Sequence, residues 1–171
     1  MTRQEFARLF KETVEESGDM IGSDQPDLGG FREAGGEMIA WHSINDEAIT
    51  INAMRRYYGK VVEFDGGREG GVETPEYFGF FEVPGITLCA APKGAGFPLR
   101  ALDALRGWVE EGVAPEKLDA VVLGLAEGEM AESKAPFCKF PLVAKAVGTE
   151  WTCVERQKTA KTEEKREKDE L

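Results

Sequence analysis

The sequence predicts an α/β fold in which helices flank a small, mostly parallel sheet. Three short apolar runs of the strand type alternate along the chain with segments of helical periodicity. Turn-forming glycine or proline bounds two of these runs, residues 38–42 and 77–83. In open α/β sheets, catalytic and binding residues are concentrated in the loops at the carboxyl ends of strands. The segments after His42 and Val83 are therefore the first candidates for a site.

Residues 2–17 predict an amphipathic helix, because their apolar side chains recur at intervals of three and four residues. The residues that form this apolar face are Phe6, Leu9, Phe10 and Val14. Thr2 followed by Glu5 predicts a capping box at the start of the helix. Gly18 is the predicted stop.

The next part of the chain predicts a strand between two helices. A turn-rich link leads to a short helix around residues 31–34, and a pair of glycines separates it from the apolar strand at 38–42. Helical spacing returns over residues 48–63. Glycines at 66–71 then predict a flexible surface loop.

The remaining elements follow the second strand, 77–83, which Pro84 and Gly85 end abruptly. A glycine-rich segment leads to a helix over residues 99–111. Its predicted stop is Gly112. Residues 119–125 are a further strand candidate.

Composition indicates one soluble domain with a charged tail. The 171 residues are 42% hydrophobic and 31% charged. From residue 156 onward Lys, Glu and Thr dominate, which predicts a folded domain over 1–155 and a disordered tail over 156–171.

Charge and apolar patterning exclude two classes of partner. The net charge of -11 disfavours nucleic acid, since affinity for phosphates depends on clustered Lys and Arg. No apolar run approaches the roughly 20 residues that span a bilayer, so no membrane role is expected. The charged N-terminus also lacks the apolar core of a secretory signal. The chain by itself is therefore expected to stay in the cytosol.

Three cysteines leave two alternatives open at this stage. Cys138 and Cys153 could close a short loop as a disulfide, with Cys89 left over. Alternatively, all three are buried free thiols of a cytosolic protein.

Several motifs occur in the order found in one family of ester hydrolases. They are Asp27-Leu-Gly-Gly-Phe-Arg-Glu-Ala-Gly-Gly-Glu-Met-Ile-Ala-Trp-His42, Ser43-Ile-Asn-Asp46, Tyr57-Tyr58, Phe81-Glu-Val-Pro-Gly85, Leu102-Asp-Ala-Leu-Arg-Gly-Trp-Val-Glu-Glu-Gly-Val-Ala-Pro115 and Pro136-Phe-Cys-Lys-Phe-Pro141. With these motifs the chain resembles the tannase and feruloyl esterase family of secreted serine hydrolases. The resemblance covers about residues 5–155 and implies the C-terminal half of its catalytic domain, an incomplete α/β-hydrolase-like layer.

The resemblance assigns the acid of a Ser-Asp-His triad to Asp46. Such an aspartate holds the histidine in one tautomer and stabilises the imidazolium that forms during acyl transfer. The alternative is that Asp46 is a loop residue that caps a helix starting near Ala48.

The family's catalytic histidine should follow the Val-Pro-Gly turn and directly precede a cysteine, but Leu88 occupies that position. Leucine cannot accept a proton from a serine or return it to a leaving alcohol. His42 is the chain's one histidine and matches a histidine of the family that is not catalytic, so a structural role is expected. The sequence also contains no Gly-x-Ser-x-Gly elbow for a nucleophile.

The resemblance also implies the state of the cysteines. Cys138 and Cys153 match the family's last disulfide. Cys89 matches a cysteine whose partner lies beside the nucleophilic serine, so Cys89 is expected to be unpaired here. Such a triad needs no cofactor and none is predicted. No acidic loop of the calcium-binding type occurs, so no metal site is expected.

The last four residues, Lys168-Asp-Glu-Leu171, have the form of an endoplasmic-reticulum retention signal. Such a signal acts only on a chain that has entered the secretory pathway. The family is secreted, whereas the chain as written predicts a cytosolic protein. In a tail built from Lys and Glu the tetrapeptide could also arise by chance.

Three functional hypotheses follow. The first is a truncated, inactive relative of a serine carboxylic ester hydrolase whose full form hydrolyses esters of phenolic acids. The second is a hydrolase assembled with a separate chain that supplies both serine and histidine. The third is a non-catalytic binding or assembly protein, in which a second copy or another protein covers the exposed sheet edge. The expected sheet has three or four mostly parallel strands, in which the strands at 38–42 and 77–83 are adjacent. The loops that follow them should bring Asp46 and Leu88 close together, because a triad aspartate must reach its histidine.

Overall fold

The computed structural model describes residues 1–66, 73–88, 90, 92–124 and 130–156. The helices are α1 (Arg3–Ile21), α2 (Gly29–Glu33), α3 (Ile51–Gly66) and α4 (Ala101–Glu111), with a 3-10 turn at Thr74–Glu76. The strands are β1 (Met38–Ser43), β2 (Phe78–Val83), β3 (Gly96–Phe97), β4 (Lys117–Leu118), β5 (Val121–Leu123), β6 (Met130–Glu132), β7 (Phe137–Cys138), β8 (Leu142–Val147) and β9 (Glu150–Glu155).

β1 and β2 form a parallel pair at the centre of the fold. Their register runs from Met38 opposite Phe78 to Ser43 opposite Val83. Helix α3 connects the two strands, as a parallel pair requires a crossover connection. The predicted adjacency of these two strands is confirmed.

One face of β2 packs on α3. Side chains alternate across a strand, so Phe78 and Phe80 point to the same side. They form a buried cluster with Tyr58 and Val61 of α3 and with Tyr77. The rings of Tyr58 and Phe80 are 5.6 Å apart, and Phe140 completes the cluster 5.2 Å from Phe80. The spacing of Tyr58 and Val61 explains why α3 presents one apolar stripe to the sheet.

The opposite face of β2 builds the second half of the core. Phe81 and Val83 pack with Leu118, Ala120 and Phe137. Ala101 and Ala104 of α4 border this cluster, and Trp108 is also buried. β2 is therefore covered on both faces, which explains its nearly continuous apolar sequence.

The prediction of a mostly parallel sheet of three or four strands is wrong. The β1–β2 pair is the parallel one among the described strands, and β3–β5–β6, β4–β7 and β8–β9 all pair antiparallel. The connections explain the difference. Gly148 and Thr149 are the two residues between β8 and β9, which is enough for a hairpin but far too short for a parallel crossover. The strand predicted at 119–125 is β5, in an antiparallel sheet.

The capping box of α1 is confirmed, but its predicted stop at Gly18 is wrong. Thr2 Oγ1 accepts from the Glu5 N–H at 3.2 Å, and Glu5 Oε2 accepts from the Thr2 N–H at 2.7 Å. Gly18 keeps a negative φ, so the helix continues to Ile21 and ends at Gly22. The two helix ends differ: Gly22 leaves α1 with extended backbone, φ -66° and ψ 136°, whereas Gly112 ends α4 in the left-handed conformation with φ 71°.

Helix α3 starts three residues later than predicted, at Ile51, and ends at Gly66. The prediction of a start near Ala48 is corrected by Asp46, whose side chain holds residues 48 and 49 in a separate turn. Apolar spacing locates a helix well, but it does not detect a side chain that bonds nearby N–H groups before the helix begins.

Cys138 and Cys153 form the expected disulfide, which closes a loop with a sequence separation of 15. In the chain-entropy model such a loop contributes roughly 3 kcal/mol to stability. Cys89, residues 67–71 of the predicted glycine loop and the tail from 157, with Lys168–Leu171, lie outside the described residues, and Gly66 is the last residue of α3. The expectations for them stay predictions.

Candidate functional site

The parallel register brings the two candidate loops to the same edge of the sheet. Ser43 and Val83 are the last residues of β1 and β2 and lie opposite each other. The Ile44 N–H donates to the Val83 carbonyl at 3.0 Å, which continues the ladder one step past the strands. Residues 44–50 and 84–88 therefore leave the sheet side by side.

Hydrogen bonds hold these two loops together. Asn45 Oδ1 accepts from the Gly85 N–H at 2.7 Å, and the Ser43 hydroxyl donates to the Ile86 carbonyl. Glu47 Oε2 accepts from the Leu88 N–H at 3.4 Å. The segment that carries Asp46 thus contacts the segment that carries Leu88 at three points.

Gly85 gives the second loop its direction. Its φ of +95° lies in the region that L side chains rarely adopt. A Cβ at this position would also lie 2.9 Å from Ala95 Cα. The Pro84–Gly85 turn can therefore reverse the chain only with glycine at residue 85.

The Asp46 side chain is nearly buried, and the two oxygens of its carboxylate lie close to different groups. Oδ1 accepts from the N–H groups of Ala48 and Ile49 at 2.9 and 2.8 Å. Oδ2 lies 4.0 Å from His42 Nε2. The loop thus holds the carboxylate in place while Oδ2 remains directed to a neighbouring ring. Asp46 does not cap a helix that starts near Ala48, since α3 starts at Ile51 and the bonded N–H groups precede it. Its role as a triad acid by descent stays a prediction.

His42 and Leu88 differ in what they can offer to this carboxylate. His42 Nδ1 lies 2.9 Å from the Ser43 carbonyl oxygen, which can only accept a hydrogen bond. Leu88 is 48% exposed and contributes its backbone N–H to Glu47. A half-exposed leucine on a loop adds nothing to the core, and its side chain has no group that transfers a proton.

A charged cluster lies one residue before the end of β2. Glu82 is almost buried on the α3 side of the sheet, where Arg55 donates to it from Nε at 2.6 Å and from Nη2 at 3.0 Å. Arg156, just after β9, donates to the same carboxylate. The cluster joins α3, β2 and the end of the last hairpin.

Two opposing effects set the pKa of Glu82. Burial favours the neutral acid, but the hydrogen bonds and charges of Arg55 and Arg156 outweigh burial, so the pKa of Glu82 is lowered from its ordinary value of 4.5. A depressed carboxyl pKa contributes stability that is fully present above the unfolded-state pKa. That contribution is lost as the pH falls through the folded-state pKa.

We expect Glu82→Gln to lower the free energy of unfolding by about 1–3 kcal/mol at pH 7, because it removes the charged acceptor of two guanidinium groups. The difference between wild type and variant should shrink as the pH falls below 4.5. Urea denaturation at pH 7, 5, 4 and 3 measures it. Asp103→Asn is the matched control, since its ion pair with Arg100 is exposed and should contribute little. A difference for Glu82→Gln that does not vary with pH would contradict the assignment.

A cavity of about 410 Å³ adjoins the two loops. Ile44, Pro84 and Gly85 line it at the sheet edge, and Phe137 and Trp151 line it farther out. Glu82 and Arg156 supply its charged end. Its size and mostly apolar lining suit a small organic molecule.

Within the described ranges, no group of three or more His, Cys, Asp or Glu side chains is placed to hold a metal ion. None of the described helices is long and apolar enough to cross a membrane.

Sequence reasoning found the two loops but missed the side chains that join them. Ser43, Asn45 and Glu47 make the cross-loop bonds, and their residue types carry no signal of that role. Glu82 did carry a signal, because a charged residue inside an apolar strand needs a buried partner. That partner is Arg55, 27 residues away in sequence.

Comparison with known proteins finds relatives for most of the chain. Residues 3–160 match the family described as "Tannase and feruloyl esterase". A probable feruloyl esterase of Arthroderma benhamiae is 30% identical over 149 residues, which cover 86% of this chain and 27% of that protein. Feruloyl esterase C of Talaromyces stipitatus is 33% identical over 140 residues, 74% of this chain and 26% of that protein.

Solved structures are similar over the same extent. A tannin acyl hydrolase from Aspergillus niger superposes with a TM-score of 0.72 at 29% identity, over 85% of this chain and 27% of that one. Feruloyl esterase B from Aspergillus oryzae has a TM-score of 0.66 at 24% identity, over 90% of this chain and 33% of that one. The chain therefore spans about a quarter of the length of the curated relatives that it matches.

Proposed function

Because the chain belongs to the tannase and feruloyl esterase family, we propose that it is a catalytically inactive relative of a serine carboxylic ester hydrolase. We propose that the full-length forms of such enzymes hydrolyse esters of phenolic acids. The observation that carries the inactivity is Leu88, at the position that the family resemblance gives to the histidine. In this proposal Asp46 is the triad acid by descent and has lost its partner.

The contacts of the two loops support this assignment. Hydrogen bonds join the loop that carries Asp46 to the loop that carries Leu88. A histidine at residue 88 would therefore lie in the neighbourhood of the Asp46 carboxylate. Cross-loop bonds from backbone groups and from Asn45 and Glu47 do not depend on the side chain at 88. Replacement of a histidine by leucine can therefore remove proton transfer while the loops keep their places.

We expect no hydrolysis of p-nitrophenyl acetate or methyl ferulate above the rate in buffer. Catalysis that survives the loss of triad members depends on an oxyanion hole and on substrate binding, and this chain carries neither a serine elbow nor a histidine at residue 88. Release of p-nitrophenolate and of ferulate is measured on purified chain. Asp46→Asn is the control, because its rate should equal that of the wild type. Saturable turnover that persists through purification and falls in Asp46→Asn would overturn inactivity.

A second candidate is a non-catalytic binding or assembly protein. The open edge of β1 favours it, since β2 is the strand that pairs with β1 within the described part of the chain. An unpaired edge invites another chain to add a strand. The cavity beside the loops is the feature that would serve a binding role. A stable homodimer that pairs through the β1 edge supports this candidate, whereas an aggregating chain supports a relic without a new role.

A further inference from the structure

Helix α1 is an amphipathic helix whose apolar face is left exposed by the described part of its own chain. None of its residues, Arg3–Ile21, is buried. The apolar side chains share one face of the helix and are between 45 and 81% exposed: Phe6, Leu9, Phe10, Val14, Met20 and Ile21. A helix of this kind has a face without a partner.

The helix is well formed without that partner. The capping box closes its N-terminus, and Arg8 pairs with Glu12 at 2.8 Å and Lys11 with Glu15 at 3.6 Å. The link after it is attached to α3, where Lys60 binds Asp24 at 2.6 Å. Within the helix the Phe6 and Phe10 rings stack 6.1 Å apart. The apolar face extends over almost the full helix length of about 28 Å.

The charges of α1 are segregated along its axis. Residues 3–11 carry Arg3, Arg8 and Lys11 against a single Glu5. Residues 12–21 carry four acidic side chains and no basic one, namely Glu12, Glu15, Glu16 and Asp19. Two such helices placed antiparallel bring the basic half of one against the acidic half of the other, whereas a parallel pair places like charges together.

We propose that α1 is a self-association surface, through which two copies of this chain pair as an antiparallel helix dimer. The apolar face supplies the contact and the segregated charge supplies the orientation. The two-fold axis passes near Thr13, at the middle of the apolar face. Phe6 of one copy then lies near Met20 and Ile21 of the other.

The same charges argue against an anionic membrane as the partner of this face. The acidic half of α1 would be repelled by anionic lipid headgroups, and basic side chains are confined to the first nine residues of the helix.

The first test is the mass of the full chain in solution by size-exclusion chromatography with light scattering. Wild type should have twice the single-chain mass of 18.8 kDa at micromolar concentration. The double variant Phe6→Glu with Phe10→Glu should raise the dissociation constant by at least about tenfold. Leu102→Glu is the matched control, since Leu102 is an exposed apolar residue of another helix and should leave the mass unchanged. A wild type that keeps the single-chain mass at a concentration of about 100 µM, where a complex with a dissociation constant near 1 µM would be almost fully formed, overturns the proposal. So does a dimer that the double variant leaves intact.

The second test determines orientation by disulfide crosslinking in a Cys89→Ser background. Thr13→Cys should crosslink, and Met20→Cys alone should not. A mixture of Phe6→Cys and Met20→Cys chains should crosslink to each other. Crosslinking of Met20→Cys to itself would indicate a parallel pair and overturn the charge argument. A monomer that binds vesicles of anionic phospholipid through α1 would replace the dimer by a membrane role.

Discussion

We expect Leu88→His to raise esterase turnover by at least about 10³-fold when this chain replaces the matching segment of an active relative. Feruloyl esterase C of Talaromyces stipitatus is a suitable host, because the match covers 26% of that protein and leaves its remainder intact. The host supplies the rest of the site, and the imported segment supplies the Asp46 and Leu88 loops. Histidine at residue 88 restores a group that can take a proton from a nucleophile and return it to the leaving alcohol.

Ferulate release from methyl ferulate measures the effect in two chimaeras, one that keeps Leu88 and one that carries the Leu88→His substitution. Equal amounts of folded protein are compared by circular dichroism. Adding Asp46→Asn to the Leu88→His chimaera should remove most of the gain, because the asparagine no longer holds the imidazole in its working tautomer. An active chimaera that still carries Leu88 would exclude residue 88 as the histidine position. A gain in the Leu88→His chimaera that survives Asp46→Asn would exclude Asp46 as the acid.

We expect Phe80→Ala to lower the free energy of unfolding by about 3–5 kcal/mol. The Phe80 ring is fully buried and lies between Tyr58 and Phe140, so truncation leaves a cavity between α3, β2 and the segment after β7. A loss of this size is a large fraction of the roughly 5–15 kcal/mol that holds a typical domain together.

Urea denaturation followed by circular dichroism measures the loss. Leu102→Ala is the control, since Leu102 is 77% exposed and its truncation should change stability by less than about 0.5 kcal/mol. Phe80→Leu, which fills most of the same space, should cost less than Phe80→Ala and keeps the test usable where the alanine variant does not fold. Equal stability of Phe80→Ala and Leu102→Ala would contradict the position of Phe80 in the core.

The strength of the local signals explains which parts of the fold were predictable. Thr2 and Glu5 lie three residues apart and need no distant partner to start α1, so the capping box was evident in the sequence. The ends of β1 and β2 were marked by apolar runs that stop at turn residues. The match of the sequence motifs to the family was equally local, since it depends on short runs of residues in order.

The sequence by itself therefore identified the family and located the ends of β1 and β2. It also showed the leucine at residue 88 and the candidate disulfide pair Cys138–Cys153. Three features required the folded chain: most strands pair antiparallel, α3 starts at Ile51, and Arg55 and Arg156 meet at Glu82. Distance along the chain accounts for this division. Glu82 meets a side chain 74 residues away, and strand direction follows from how connections return to the sheet. Neither the Glu82–Arg156 contact nor the strand directions can be read from the spacing of nearby residues, because both depend on how the whole chain packs.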